Sequence, residues 1–352
     1  VAIGEAPVAT GKVVALPAPF VVHSPAVMFW RRKKGPAVPP QVGCFGKLPA
    51  TGDFIRLNAG GEELAAFDRW LGASIDFARR AMGPHFDGYY QSALGLFVFH
   101  GEPKGDEPPA RGLVGAWAAS GDNAGRLYPI IVFGSYDYDQ LVSAGASLPI
   151  ALFPLLAAAH DLATSGRSMP VDAFLHRVAQ ITPPSLDDPD ASSAAYRAWL
   201  KTQPMKALWD AGFGTDESRF WVVQNVLDSV MPFRGHELPK TGLALRLPLG
   251  AGDAYAAAVW MDMTLRLSRW GRTLMNAFWS PQRTLLLHLG PPHVASFREL
   301  IAPTAHAEHI ADLCGPPPVE EQVSRHALGP ELDALVARTD LSLDSFLEGL
   351  GG

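Results

Sequence analysis

The strongest constraint on the fold is a trio of β-branched and aromatic segments, residues 94–100 (LGLFVFH), 113–119 and 127–133 (LYPIIVF). Each is rich in side chains that fit a pleated, buried surface and too short for an independent helix. The stretch 101–112 carries Pro, Gly and charges and reads as an exposed loop. Residues 120–126, Ser-Gly-Asp-Asn-Ala-Gly-Arg, supply turn chemistry between the second and third segments. Apolar runs joined by so short a polar link predict an antiparallel hairpin. Pro129 has no N–H to give a ladder, so its end of the third strand is expected at a sheet edge or a bulge. A short Gly-punctuated strand, 42–46 (VGCFG), precedes the trio. The spacing of Leu64, Phe67, Trp70, Leu71 and Ile75 predicts a helix that starts at Glu62 and stops at Gly83-Pro84.

Helices then dominate, with candidates at 139–146, 149–164, 171–180 and 192–201. The acidic run Asp187-Asp188-Pro189-Asp190 ahead of the last is expected to be a solvated loop with N-capping carboxylates. A second unit is expected from Met205. It holds a helix over 217–230, a strand over 242–249, a helix over 254–270, paired strands at Phe278 and 284–289, a short helix over 293–301, and two amphipathic helices in 332–350. Strands followed by blocks of helices predict an α+β fold. The expected organisation is an antiparallel sheet flanked by helices over 41–204, followed by a smaller mixed α/β domain over 205–352. Residues 1–40, rich in Ala, Val and Pro and without a periodic pattern, are expected to be a disordered extension, with translation starting at Val1 or Met28.

Composition removes several function classes. Apolar residues make up 48% of the 352 positions and charged residues 18%, enough to build a sizeable core. The formal net charge of −6 offers no basic face for nucleic acid or for an anionic membrane surface. Cys44 and Cys314 stand far apart and outside any CxxC pair, which argues against a disulfide framework or a cysteine zinc site and for a reducing, cytoplasmic setting. The richest apolar run, 148–159, is shorter than a membrane helix and is interrupted by Pro149 and Pro154, so it is expected to be a core helix. A signal peptide is not expected in 13–30, where Pro17, Pro19 and Pro25 interrupt the apolar stretch. There is no G-x-S-x-G, no Walker loop and no G-x-G-x-x-G. His306-Ala307-Glu308-His309 places two imidazoles three positions apart, but no third ligand accompanies them, and exposed histidines are the expectation. No catalytic residue, metal or cofactor is therefore expected.

Two polar segments stand out. In the first, GCFGKLPATGDFIR (43–56), Gly46, Pro49 and Gly52 bend the backbone while Lys47, Asp53 and Arg56 supply charge. It reads either as a tight loop with Asp53 capping a turn and Lys47 solvated, or as a charged recognition edge. A phosphate cradle fits poorly, because the lysine precedes the turn and no Ser or Thr follows it. In the second, SGDNAGRLYP (120–129), Asp122 is placed to cap the turn. Arg126 either reaches back to Asp122 or Asp53, or stands exposed at a partner interface.

These segments carry a family resemblance. Phe45-Gly46-Lys47-Leu48 followed by Gly52-Asp53-Phe54-Ile55 resembles the amino-terminal signature of the TagF (ImpM) family. Asp68, Trp70 and Leu71 resemble the family's aspartate-x-tryptophan-leucine helix. Ser120, Asp122, Gly125, Arg126, Tyr128 and Pro129 resemble its Ser-x-Asp-x-x-Gly-Arg-x-aromatic-Pro stretch. Ser218-Arg219-Phe220-Trp221 is a counterpart, with Phe in place of the first Trp, of a Ser-x-Trp-Trp element. The resemblance implies an accessory protein of the bacterial type VI secretion system, a post-translational negative regulator that binds an Fha-type (forkhead-associated) scaffold protein. Lys47, Asp53, Arg56, Asp122 and Arg126 are then the candidate partner-binding residues. The alternatives are a hydrolase built from scattered Ser, His and Asp residues, and a structural subunit of the apparatus.

Overall fold

Among the described residues nine strands form one sheet, which runs through both halves of the chain in the order β2-β1-β5-β4-β3-β7-β8-β6-β9. The computed structural model describes residues 38–102, 107–235, 242–250, 254–271, 273–279, 283–304 and 307–351. The strands are β1 (Gln41–Gly46), β2 (Ile55–Leu57), β3 (Leu94–His100), β4 (Arg111–Ala118), β5 (Ile130–Asp137), β6 (Ala244–Pro248), β7 (Asn276–Trp279), β8 (Thr284–His288) and β9 (Ile310–Asp312). Neighbours are antiparallel except β6 and β9, which run parallel. The fold is α+β, as the sequence predicts.

Both faces of the sheet are covered, which is why the strands read as nearly continuous apolar runs. Along β5, Ile130 and Val132 enter one core cluster and Ile131 and Phe133 the other. Along β3, Val98 points to the first, Phe97 and Phe99 to the second. The first cluster is closed by the helices Phe153–Ser165, Arg219–Val230 and Ala254–Ser268, and the second by Glu62–Met82 and Ser296–Ile301. The apolar stretch around residue 150 is broken at Leu152, giving the helices Leu148–Ala151 and Phe153–Ser165, each with proline in its first turn, where a missing N–H costs nothing. Among the described residues no single helix is long and apolar enough to cross a membrane.

The halves expected as domains over 41–204 and 205–352 share this sheet, and residues Val38–Gly352 cluster as one compact unit. The join is β3 against β7, in the register Phe97 with Phe278. It is reinforced on both sides. Asn276 accepts from the His100 backbone N–H at 2.7 Å, and its amide faces His100 Nε2 at 3.2 Å. Trp70, from the helix Glu62–Met82, stacks on Phe278 at 4.8 Å. Of the expected extension over 1–40, residues 1–37 lie outside the described residues, and 38–40 lead into β1.

Local chemistry sets the element ends. β5 begins at Ile130, three residues later than the sequence pattern suggests, because Pro129 cannot donate to a ladder. That strand is central, between β1 and β4, so the edge position expected for Pro129 is corrected: the proline is accommodated by starting the strand after it. The acidic run behaves as expected. Asp188 caps the helix Pro189–Thr202 by accepting from the Ala191 N–H, and Pro189 takes the first helical position.

Candidate functional site

Three separate stretches meet where β1, β4 and β5 run out into loops. Gly46 closes β1 with φ of +135°, and a Cβ there would lie 2.0 Å from the Pro129 carbonyl oxygen. Only glycine permits that approach, and it turns Lys47 under the loop 120–129. Lys47 is 5% exposed and its ammonium pairs with Asp122, which is 6% exposed. The Asp122 carboxylate is saturated. One oxygen accepts from the backbone N–H groups of Ala124 (3.0 Å) and Arg126 (2.9 Å); the other accepts from Lys47 and from Arg126 Nε at 2.6 Å. These donors, the Lys47 ammonium first, hold its carboxyl well below the usual carboxylate range despite the opposing effect of burial.

The remaining motif residues lock the loops together. Ser120 Oγ donates to the Lys47 carbonyl at 2.7 Å, and the Ser120 carbonyl accepts from the buried Tyr90 hydroxyl at 2.9 Å. Arg126 Nη2 donates to the Gly52 carbonyl at 2.6 Å, and the Asn123 N–H donates to that of Thr51 at 3.1 Å. Tyr128 donates to Asp68 on the helix Glu62–Met82; burial, and then the Asp68 bond, push the phenol far above its ordinary value. Above this frame, Phe54 stacks on Phe45 at 5.2 Å and meets Tyr128 edge-on at 5.0 Å. Lys47 approaches the Phe54 ring at 4.9 Å and Arg56 covers the Phe45 ring at 5.3 Å.

The five sequence-derived candidates therefore divide. Lys47, expected to be solvated or at an interface, is buried; Asp122 is its partner, and together they tie the two loops. The turn-capping carboxylate is Asp122, not Asp53, and Arg126 reaches Asp122 rather than Asp53. Asp53, Arg56 and Arg126 remain on the surface. Phe54 joins them. It was legible only as an apolar residue held between two charges in Gly-Asp-Phe-Ile-Arg, a pattern that a buried strand start would share. Of the histidine pair, His306 lies outside the described residues. His309, expected to be exposed, is half-buried and stacks on His293 at 4.3 Å; burial, then the neighbouring His293, push its pKa down to about 4.

The motifs that converge on this knot lie within a stretch matched by a type VI secretion system-associated domain. Residues 43–181 match the model of the TagF N-terminal domain, described as type VI secretion system-associated, so the chain carries a domain of that kind and is a type VI secretion system-associated protein. No curated protein matches the chain. Among solved structures, the crystal structure of PA0076 from Pseudomonas aeruginosa PAO1 at 2.05 Å resolution is similar at 15% identity and a TM-score of 0.43, over 76% of this chain and 96% of that one.

Proposed function

We propose that this chain is a non-catalytic, cytoplasmic regulator that restrains type VI secretion after translation by binding an Fha-type scaffold protein. One observation carries the reading: an aromatic ring and charges of both signs stand exposed on a rigid, buried ion-paired frame. Phe54 is 39% exposed, and Asp53, Arg56 and Arg126 surround it on the surface. An aromatic anchor ringed by charge has the composition of an interface hot spot with its rim. Because Phe54 is already held by Phe45 and Tyr128, little side-chain freedom is lost when a partner covers it. Occupancy alone then keeps the scaffold protein from the assembling apparatus, and no bond is made or broken.

The test is calorimetric titration of the full chain with an Fha-type protein from the same organism. Phe54→Ser and Arg56→Glu are each expected to weaken binding by about tenfold or more. The unfolding midpoint of Arg56→Glu should stay near that of the parent, since the side chain is exposed, while Phe54→Ser should lower it modestly through the lost contacts with Phe45 and Tyr128 and leave the chain folded. A parent chain that does not bind, or variants that bind as tightly as the parent, would remove the reading.

A further inference from the structure

A groove of about 600 Å3 lies between the helices Met205–Phe213 and Arg219–Val230 on one side and the segment 314–321 on the other. It shares no residue with the motif knot. Phe213, Trp221, Pro316, Pro317 and Val319 give it an apolar lining. Among the described residues its charged lining is acidic, Glu217 and Glu321, with no Lys, Arg or His. Glu320 adds a third exposed carboxylate beside them. The nearest guanidinium groups are already engaged: Arg219 with Asp216 and the Val336 carbonyl, Arg325 with Asp333 and Glu321. Glu217 and Glu320 have no ionic partner among the described residues. Val319 and Val323, 42% and 57% exposed, extend the apolar surface outward from the groove.

We infer that this groove docks an extended segment of a partner protein, one that places an apolar or aromatic side chain between flanking Lys or Arg residues. The lining offers burial to the anchor, and the rim carboxylates match the flanking cations. The same rim repels phosphate-bearing ligands, which sets a nucleic acid or an anionic lipid against the charge. In the wall, Pro316 and Pro317 have φ fixed by their rings, which limits the ordering needed on binding.

The test titrates the full chain against fluorescein-labelled peptides followed by anisotropy. The first peptide carries Trp between Lys-Arg pairs; the second replaces the basic residues with Glu; the third replaces the Trp with Ser. The first is expected to bind, more weakly as salt rises, and the other two at least about tenfold more weakly. A chain carrying both Glu217→Lys and Glu320→Lys should lose about tenfold in affinity for the first peptide while its unfolding midpoint stays put, because both side chains are on the surface. Equal binding of the acidic peptide, or undiminished binding by the charge-reversed chain, overturns the inference. So does concentration-dependent self-association, read by sedimentation, that the charge reversal abolishes; the occupant would then be a second copy of this chain.

Discussion

A Lys47→Met chain is expected to lose about 3 kcal/mol of unfolding free energy, the cost typical of removing one partner from a buried ion pair. Methionine keeps the apolar stem and its packing, so what is lost is the ammonium. Asp122 then remains buried with the two backbone N–H groups of its own loop and Arg126, whose side chain is 65% exposed and weakly screened from water. The loss should be non-additive. In a cycle with Asp122→Asn, the doubly substituted chain should be less destabilised than the sum of the single changes, because each single change leaves a charge or a donor uncompensated. The pH dependence has a definite sign. The Asp122 pKa is depressed in the folded state, so the carboxylate contributes stability above its ordinary value of 3.8, and that contribution is lost as pH falls below it. Since the Lys47 bond is the largest cause of the depression, the acid-side loss attributable to Asp122 shrinks in Lys47→Met. Urea unfolding of the four chains at neutral and acid pH measures all of this. Unchanged stability in Lys47→Met, together with lost binding of the scaffold protein, would return Lys47 to the surface role that its sequence context suggests.

That lysine shows where sequence reading stops. The motif residues are visible as a set, because glycines, a proline and charges cluster within a few positions. The partner that decides burial for Lys47 lies 75 positions away, and nothing in the local pattern distinguishes a lysine that is solvated from one folded under a distant aspartate. The same limit applies to the fold. β3 has the bounds expected from its apolar run, β6 and β8 fall within the segments expected to be strands, and β7 forms around the expected Phe278. Their assembly into one sheet depends on β7 pairing with β3, a register that neither strand announces alone. β2 and β9, each three residues long, are too brief to show any periodicity. Near the carboxy terminus the first of the two helices expected in 332–350 begins earlier, at Glu321, with its direction broken at Gly329-Pro330, where a positive φ precedes the proline.

The second large effect concerns acid stability and His288. This side chain is fully buried on β8, and neither ring nitrogen has a hydrogen-bond partner among the described residues. Phe278 meets its ring edge-on at 5.6 Å, and His309 and His293 are its charged-state neighbours. Burial, then the two neighbouring imidazoles, push its pKa from 6.5 down to about 3. The folded state thus refuses a proton that the unfolded chain accepts. Stability is complete above about pH 6.5 and falls as the pH drops toward 3, by about 2 kcal/mol at pH 5 for this one ring. Paired carboxylates such as Asp122 are ionised in both states through most of that window, so the imidazoles govern it. His100, also buried and shifted down, differs in kind: its Nδ1 lies 3.0 Å from the Gly101 carbonyl and its Nε2 3.2 Å from the Asn276 amide, so replacing it removes bonds as well as a titration. His288→Leu removes the titration and the edge-on ring contact with Phe278 but no hydrogen bond among the described residues. Exchanging an unpartnered buried polar ring for an apolar side chain is close to neutral at pH 7. At pH 5 the variant should therefore exceed the parent by about 2 kcal/mol, read from urea midpoints at the two pH values. Parallel pH profiles for the two chains would show that His288 is protonated in the folded state as readily as in the unfolded one, and the low-pH weakness would have to reside in His100 and His309.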